Sequence, residues 1–436
     1  MNNTIAIVGR PNVGKSTLFN RLIEAKEAIV ESVSGVTRDR IYGKSDWNGY
    51  EFSVIDTGGY VHGSEDTFED EIRKQVLFAI DEADAIIFVV DAKEGINPLD
   101  EDVAKLLRRS KKDIFTAANK IDTPDKSNEV IEFYSLGLGE VYPISAVNGT
   151  GTGEILDDIV KIFTEKVLVD EETDLPRIAF VGRPNVGKSS IINTLLGDKR
   201  TIVTDIAGTT RDSIYTRYNA YGHDFMLVDT AGLRKKGKVY ENIEFYSTLR
   251  TIRAIESSDV CVVMIDAQTG IEKQDISIFH LAAKNNKGIV VVVNKWDLID
   301  KETNTHLEFE KHLRERIAPF TDVPIVFTSV KEKQRIFKTL ELAADVFKRR
   351  AQKIKTSELN DFLLPIIENT PPPMGSRGRY IRIKYVMQIK VPTPMFIFFC
   401  NLPDDVKDSY SRFLENKMRE KYNFTGVPIQ IYFRLK

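Results

Sequence analysis

The chain has few cysteines, few histidines and no long apolar segment. Cys261 and Cys400 are its two cysteines among 436 residues, and its five histidines show no metal-ligand spacing. Two cysteines so far apart, each within an apolar run, predict reduced core residues and exclude a disulfide scaffold. The longest apolar stretches, such as residues 260–265, are far too short for a membrane span and are typical of buried parallel strands. The N-terminus lacks a basic region followed by a long apolar segment, so we expect a cytoplasmic protein.

One string of nine residues, VGRPNVGKS, occurs twice in the chain. It spans residues 8–16 and again 181–189. Both copies fit the pattern G-x-x-x-x-G-K-[ST] of a phosphate-binding loop (P-loop), and each lies between an apolar run and a helix-forming stretch. Glycines let backbone N–H groups converge on anionic oxygens, and the N-terminus of the following helix adds positive charge. The sequence therefore predicts two sites for a nucleoside triphosphate.

The side chains of the two loops have predicted roles in phosphate and metal binding. Lys15 and Lys188 are expected to reach the β- and γ-phosphates, and Ser16 and Ser189 to bind Mg²⁺. The other predicted nucleotide contacts of the loops are Gly9, Asn12, Val13, Gly14 and Thr17 in the first copy and Gly182, Asn185, Val186, Gly187 and Ser190 in the second.

The repeat extends beyond the phosphate-binding loops. Residues 173 positions apart continue to match, as Thr37 matches Thr210 and Asp56 matches Asp229. Internal duplication explains this pattern. Each unit alternates short apolar runs with amphipathic helical stretches, which predicts an α/β domain with a mostly parallel sheet and flanking helices. In the first unit we expect strands near residues 5–8, 52–55, 85–90, 114–118 and 141–144, and the second unit repeats the order.

An N-K-x-D string follows an apolar run in each unit and indicates which base is bound. An aspartate carboxylate accepts hydrogen bonds from guanine N1–H and N2–H₂ together, whereas adenine offers no such pair of donors. The predicted ligand is therefore GTP, not ATP. The predicted base-reading residues are Asn119, Lys120 and Asp122 with Ser145 and Ala146 in the first unit, and Asn294, Lys295 and Asp297 with Ser329 and Val330 in the second.

Two further strings predict the magnesium and switch elements. Asp56 and Asp229 each end an apolar run within D-T-x-G and are expected to be the acidic partners of Mg²⁺, although such a string can also form an ordinary turn. Thr37 and Thr210 are candidates to add a hydroxyl to the Mg²⁺ shell when GTP is bound. The predicted catalytic set comprises Lys15, Thr37 and Gly59 in the first unit and Lys188, Thr210 and Gly232 in the second.

The composition changes near residue 349. From residue 350 onward the chain has 15 Lys and Arg against 8 Asp and Glu, a balance of +7, so the preceding residues carry −10. The order helix, strand, strand, helix, strand predicts a small α+β module there. The predicted domains are a first GTPase domain at 1–165, an acidic linker at 166–175, a second GTPase domain at 176–348 and the C-terminal module at 349–436.

The paired strings GRPNVGKS, GVTRD/GTTRD, DTGG/DTAG and NKID/NKWD, with the tail SYSRFLENKMREKYNFTGVPIQI, resemble the EngA (Der) family of tandem-domain ribosome-assembly GTPases. The resemblance covers essentially the whole chain. It implies two GTPase domains followed by a KH-like domain, hydrolysis of GTP to GDP, and a role in maturation of the large ribosomal subunit. The implied partners are the pre-ribosomal particle and its rRNA, bound in a nucleotide-dependent way. We expect a monomer with no obligate protein partner.

Tyr60 and Leu233 stand where many GTPases carry a glutamine that orients the attacking water. Neither side chain can do so. This resembles a subgroup of GTPases in which the P-loop asparagine, here Asn12 or Asn185, helps to hold K⁺ beside the β- and γ-phosphates. The alternative is that each asparagine only shapes its loop. Two functions also stay open: a GTPase in both domains, or a scaffolding protein in which one domain only holds nucleotide.

The tail offers a candidate RNA surface. Aromatic and basic residues interleave there, which suits contact with structured RNA, although a charged strand edge gives the same pattern. These residues are Arg377, Arg379, Tyr380, Arg382, Lys384 and Tyr385. The basic run at 234–238 is a second candidate surface. The string Gly375-Ser376-Arg377-Gly378 matches GxxG but precedes a strand, so we expect a turn.

Overall fold

A computed structural model describes residues 3–23, 42–57, 72–73, 75–77, 79–80, 83–122, 124–167, 175–197, 202–205, 215–228, 243–300, 304–375 and 378–435. The chain forms two compact units, Met1–Glu172 and Thr173–Lys436, which are described separately below. Among the described residues, no helix is both long and apolar enough to cross a membrane.

The first unit contains a six-stranded sheet in the order β2-β3-β1-β4-β5-β6. Neighbouring strands run parallel except at the edge, where β2 is antiparallel to β3. Every residue of β4 is buried, as a strand covered on both faces requires. The strands are β1 (Asn3–Val8), β2 (Tyr42–Trp47), β3 (Tyr50–Asp56), β4 (Ala85–Asp91), β5 (Asp113–Asn119) and β6 (Val141–Pro143). All five predicted strands are confirmed, and β2 is additional because its mixed polar sequence gives no apolar signal.

Three α-helices of the first unit have bounds within the described part of the chain. They are α1 (Lys15–Ile23), α2 (Pro98–Arg109) and α3 (Thr152–Val167). The strand order reverses at β1, whose neighbours are β3 and β4, so the loop from β1 to α1 opens at the carboxyl edge of the sheet. Leu18, Phe19 and Leu22 of α1 are buried in the core beneath that loop. The P-loop therefore lies where ligands bind in doubly wound α/β folds.

The second unit begins with a seven-stranded sheet in the order β13-β12-β11-β7-β10-β9-β8. It repeats the first sheet and adds β8, which is antiparallel to β9 at the edge. The strands are β7 (Arg177–Gly182), β8 (Ile202–Asp205), β9 (Tyr215–Ala220), β10 (His223–Val228), β11 (Val260–Asp266), β12 (Gly288–Asn294) and β13 (Ile325–Phe327). The helices are α4 (Lys188–Leu196), α5 (Ile243–Ser257), α6 (Lys273–Lys284), α7 (Thr305–Arg316) and α8 (Ile336–Arg350).

The C-terminal module has the predicted order of elements. They are α9 (Thr356–Asn369), β14 (Ile383–Gln388), β15 (Met395–Cys400), α10 (Asp408–Lys421) and β16 (Gln430–Arg434). The strands form a separate sheet in the order β14-β15-β16, in which β15 and β16 are parallel. Alternate residues of β15 are buried against the helices, which is the pattern of a sheet with one covered face.

The C-terminal module packs into the core of the second GTPase domain. Gly426 donates its N–H to the carbonyl oxygen of Asp322 at 2.8 Å and accepts from the N–H of Ile289 at 2.7 Å. Val427, the next residue, is fully buried in the same core cluster as β11 and β12. Gly426 has φ +82°, and a Cβ there would lie 2.6 Å from Val346. Glycine at this position thus permits the close approach.

Charged groups add to this contact. Arg350, the last residue of α8, donates to Asp259 Oδ1 at 2.9 Å and to Thr393 Oγ1 of the module at 3.4 Å. Arg419 Nη1 of the module lies 3.1 Å from Asp322 Oδ2. The Arg419 guanidinium also lies over the ring of Phe320, 5.0 Å from its centroid. The predicted boundary at 348/349 falls within α8, and the predicted linker begins inside α3. Charge composition therefore does not mark the ends of these helices.

Both cysteines are buried and lie in strands. Cys261 belongs to β11 and Cys400 to β15, and neither forms a disulfide. Burial raises the pKa of the Cys261 thiol to about 11, although Ser258 opposes this by a hydrogen bond. A thiol with so high a pKa is a poor nucleophile, so Cys261 is a core residue.

Candidate nucleotide-binding sites

Lys15 lies inside the first P-loop. Its ammonium donates hydrogen bonds to the carbonyl oxygens of Gly9 and Arg10, both at 2.8 Å. Burial lowers the pKa of Lys15 to about 8, and the nearby carboxylate of Asp56 opposes that shift. Gly9 must be glycine, because a Cβ would lie 2.3 Å from the carbonyl oxygen of Val89. The loop is thus closely packed around a cation that can meet phosphate oxygens.

Ser16 and Asp56, predicted as magnesium ligands, lie side by side. The Ser16 hydroxyl donates to Asp56 Oδ2 at 2.6 Å, although 40 residues separate them in the chain. Asp56 ends β3 and is only 1% exposed. A hydroxyl and a carboxylate are the hard oxygen donors that Mg²⁺ prefers. The residues present therefore fit a magnesium ion bound with the nucleotide.

Asn119 links the base-reading loop to two other parts of the site. Its side-chain amide donates to the carbonyl oxygen of Val13 at 2.8 Å and accepts from the N–H of Ala146 at 2.9 Å. Lys120 follows in the left-handed region with φ +76° and forms an ion pair with Asp91, the last residue of β4. Asn119 and Lys120 thus fix the position of the loop, and Asp122 is the residue predicted to contact the base.

Asp122 receives hydrogen bonds at both carboxylate oxygens. Ser145 Oγ donates to Oδ1 at 2.9 Å, and Lys93 Nζ donates to Oδ2 at 2.8 Å. The side chains of Asp122 and Lys93 are 43% and 49% exposed, so their ion pair is a weak surface contact. The carboxylate is accessible to the two donors of a guanine edge.

The second site repeats these contacts. The Lys188 ammonium donates to the carbonyl oxygens of Gly182 and Arg183, both at 2.6 Å. The Asn294 amide donates to the carbonyl oxygen of Val186 at 2.8 Å, and Lys295 lies 2.5 Å from Asp266. Each of these contacts has a counterpart in the first domain.

Val330 takes the place of the alanine in the second base pocket. Its N–H donates to Asn294 Oδ1 at 3.2 Å, just as Ala146 donates to Asn119. The contact uses the backbone, so the larger side chain does not change it. Ser329 Oγ accepts from the N–H of Glu332 at 3.1 Å. Valine in place of alanine therefore leaves the hydrogen bond to Asn294 of the base-reading loop in place.

Both P-loops share the same backbone strain. Asn12 and Asn185 have φ +65° and +64°, and Gly14 and Gly187 have φ +97° and +103°. A Cβ on either glycine would lie 2.3 Å from the side-chain nitrogen of Asn119 or Asn294. The close approach of each P-loop to its base-reading loop therefore requires glycine at these positions.

Several predicted residues lie outside the described part of the chain. These residues belong to the switch segments, the two D-x-x-G strings, the basic run and the tail. They are Thr37, Gly59, Tyr60, Thr210, Asp229, Gly232, Leu233, residues 234–238 and Arg377. Ser189 is described, but its magnesium partner is not.

Sequence reasoning missed the aspartates at the end of β4 and in the first turn of α2, and their copies in the second domain. Asp91 and Asp266 pair with the lysines of the base-reading loops, as described above. Asp100 and Asp275 contact the arginines of the P-loops. A signal was available, because matching residues in this half of the domain lie 175 positions apart, as Asn119 and Asn294 do. Aligning the copies at that spacing pairs each of these aspartates with its counterpart.

Comparison with known proteins identifies the family. A GTPase Der from Christiangramia forsetii is 61% identical over 436 residues, which cover all of both chains. The chain belongs to the Der (EngA) family of GTPases. Other family members give the same full-length match, including GTPase Der from Flavobacterium psychrophilum at 59% identity and from Bacteroides fragilis at 57%.

Two family models match separate parts of the chain. One, described as a 50S ribosome-binding GTPase, matches residues 4–120 and 177–295. The other, described as the KH-domain-like C-terminal domain of EngA bacterial GTPase enzymes, matches residues 353–434. The chain thus has two GTPase domains and a KH-like domain, as predicted. It is an enzyme that binds GTP and GDP with Mg²⁺ and hydrolyses GTP.

Proposed function

We propose that the chain acts in maturation of the large ribosomal subunit and binds the pre-ribosomal particle through rRNA in a nucleotide-dependent way. The matching family model is described as a 50S ribosome-binding GTPase, and this supports the proposal. In this proposal the protein is a cytoplasmic monomer. GTP orders Thr37 and Thr210, and loss of the γ-phosphate releases them and the particle.

The surface of the KH-like domain carries the proposal. Arg379 and Tyr380 are 58% and 66% exposed, and Arg382, Lys384 and Tyr385 beside them are also exposed. Exposed cations next to aromatic rings offer phosphate contacts and stacking surfaces to RNA. The preceding domains carry a net negative charge, so long-range attraction to RNA comes from this end of the chain.

A charge-reversal variant tests this role. Replacing the three cations, as Arg379→Glu, Arg382→Glu and Lys384→Glu, should abolish co-sedimentation with large ribosomal subunits in the presence of a non-hydrolysable GTP analogue. Wild-type binding should weaken as salt increases, because phosphate contacts release counterions. The measurement is the fraction of protein that pellets with subunits in the GTP analogue and in GDP.

The control makes the same charge change on the first unit. Its variant is Lys105→Glu, Arg109→Glu and Lys111→Glu, three exposed residues in or just after α2. It should pellet as the wild type does. Equal pelleting of the tail variant and the control variant would overturn the proposed RNA surface.

We further propose that each P-loop asparagine holds K⁺ beside the β- and γ-phosphates. Asn12 and Asn185 are both exposed and share the same left-handed conformation at the tip of their loops. A cation there would offset the negative charge that develops in the transition state, as an arginine finger does. The alternative role is conformational, because asparagine tolerates positive φ better than most residues.

The substitution Asn12→Gly separates the two roles, because glycine keeps the left-handed backbone and removes the amide. GTP hydrolysis by the first domain is measured with the second site silenced by Lys188→Ala. The parent rate should be about tenfold or more higher in KCl than in NaCl, and Asn12→Gly should remove that difference. Asn48→Gly, at φ +51° in a distant turn, is the control. Equal rates of the parent in both salts would exclude K⁺.

A further inference from the structure

A buried arginine–aspartate pair links each P-loop to a neighbouring helix. In the first domain Arg10 Nε donates to Asp100 Oδ2 at 3.2 Å. In the second, Arg183 Nε donates to both carboxylate oxygens of Asp275, at 3.0 and 2.9 Å. Asp100 is 0% exposed and Asp275 is 1% exposed. The same buried pair has thus been kept in both copies of the duplicated domain.

Each aspartate is itself fixed by the start of a helix. Asp100 Oδ2 accepts the N–H of Asn97, the residue that caps α2, at 3.1 Å. Asp275 Oδ2 accepts the N–H of Glu272, the residue that caps α6, at 3.0 Å. These are capping boxes, in which a side chain in the first turn reaches back to the backbone. The arginine is therefore held by a carboxylate that cannot move without opening the helix end.

The arginine held in this way also contacts the phosphate-binding lysine. The carbonyl oxygen of Arg10 accepts from Lys15, and that of Arg183 accepts from Lys188. Fixing the arginine side chain therefore limits the positions of the carbonyl that directs the lysine ammonium.

The same segment contacts the base-reading loop at its other end. Residues 91–100 and 266–275 are here called the bracing segments. Each begins with an aspartate that pairs with the lysine of N-K-x-D, Asp91 with Lys120 and Asp266 with Lys295. Each ends with the aspartate that holds the P-loop arginine. One short segment thus connects the two loops that contact opposite ends of the nucleotide.

We propose that Asp100 and Asp275 are positioning residues for GTP binding, each holding the arginine of its P-loop so that the phosphate-binding lysine stays in place relative to the base-reading loop. The pair also balances charge near Lys15, where Asp100 favours the ammonium form and Arg10 disfavours it. Without the carboxylate, each guanidinium loses its buried partner and is left with an ion pair to an exposed glutamate, Glu94 for Arg10 and Glu272 for Arg183. The proposal rests on GTP binding and is independent of any ribosomal role.

The test replaces the carboxylate by an amide of the same shape. Asp100→Asn keeps an oxygen that can cap α2 but removes the charge that holds Arg10. In the full-length protein with its second site silenced by Lys188→Ala, GTP should bind the first site about tenfold more weakly. Asp102→Asn, 67% exposed on the same helix, is the control and should bind GTP as the parent does. Asp275→Asn in a Lys15→Ala background should give the matching result at the second site.

A double-mutant cycle distinguishes positioning from general destabilisation. If Asp100 acts through Arg10, then Arg10→Gln and the double variant should each weaken GTP binding about as much as Asp100→Asn alone. Thermal unfolding of the same samples gives the folded fraction at the assay temperature. The proposal is overturned if the two losses simply add, if folded Asp100→Asn binds GTP within twofold of the parent, or if the loss is fully accounted for by unfolded protein.

Discussion

The proposed role of Asp122 and of Asp297 depends on the side-chain carboxylate. A carboxylate accepts the two N–H donors of guanine, and an amide at the same position offers one donor in place of one acceptor. Xanthine presents an acceptor where guanine presents the N2–H₂ donor. The neighbouring contacts of Asp122, from Ser145 and Lys93, do not supply that selectivity, because both are donors to the carboxylate.

Asp122→Asn and Asp297→Asn should therefore each shift one site from guanine toward xanthine nucleotides. The expected loss of GTP affinity at the altered site is about 100-fold, since a recognised donor loses its partner. Binding of labelled GTP and XTP to each single variant measures the shift, and the unaltered site in the same chain is the control. Wild-type GTP affinity at both sites of both variants would show that these aspartates do not read the base.

Residues of local motifs could be predicted from the sequence, and residues paired across the fold could not. Asn119 was predicted to belong to the base-reading loop from the string N-K-x-D, and the structure places it against Val13 and Ala146. Arg10 and Asp100 are separated by 90 positions; Arg10 occupies a variable position of the P-loop pattern, and Asp100 belongs to no short pattern with a known mechanism. Their contact depends on the path of β4 and α2, which only the folded chain defines.

At the scale of elements, the buried strands were predicted well, but the antiparallel edge strands β2 and β8 were missed. β4, β11 and β12 are continuous apolar runs because helices cover both faces of the sheet. β2 has the sequence YGKSDW and lies at a sheet edge, so it needs few apolar residues. Composition also could not show that residues 426–427 complete the core of another domain, because two apolar or small residues in a loop carry no such signal.

The contact formed by Val427 should contribute measurably to the stability of the second unit. Val427→Ala removes two buried methyl groups from its core and should lower the free energy of unfolding by about 2 kcal/mol. Urea unfolding is followed by Trp296 fluorescence in a Trp47→Phe background, which leaves one tryptophan in the chain. Leu307→Ala, at a side chain that is 55% exposed in the same unit, is the control. An unchanged urea midpoint for Val427→Ala would contradict the packing described here.

At the scale of the whole molecule, the KH-like domain has a structural role in addition to its proposed RNA contact. It supplies Gly426 and Val427 to the second GTPase domain, and its Arg419 pairs with Asp322. The first unit has its own core, centred on β1 and α1. Removal of the C-terminal domain should therefore affect the two GTP sites unequally.

A chain that ends at Arg350, the last residue of α8, should bind one equivalent of GTP where the full chain binds two. Truncation exposes the apolar surface that Val427 covers and removes Arg419 from Asp322, so the second domain loses stability while the first keeps its contacts. Equilibrium titration with labelled GTP gives the stoichiometry, and the fluorescence of Trp47 and Trp296 reports the folding of each unit separately in single-tryptophan variants. The full chain carrying Lys188→Ala is the control for one occupied site. Two equivalents of GTP bound by the truncated chain, with Trp296 unfolding at the full-length urea midpoint, would show that the second GTPase domain is complete without the C-terminal domain.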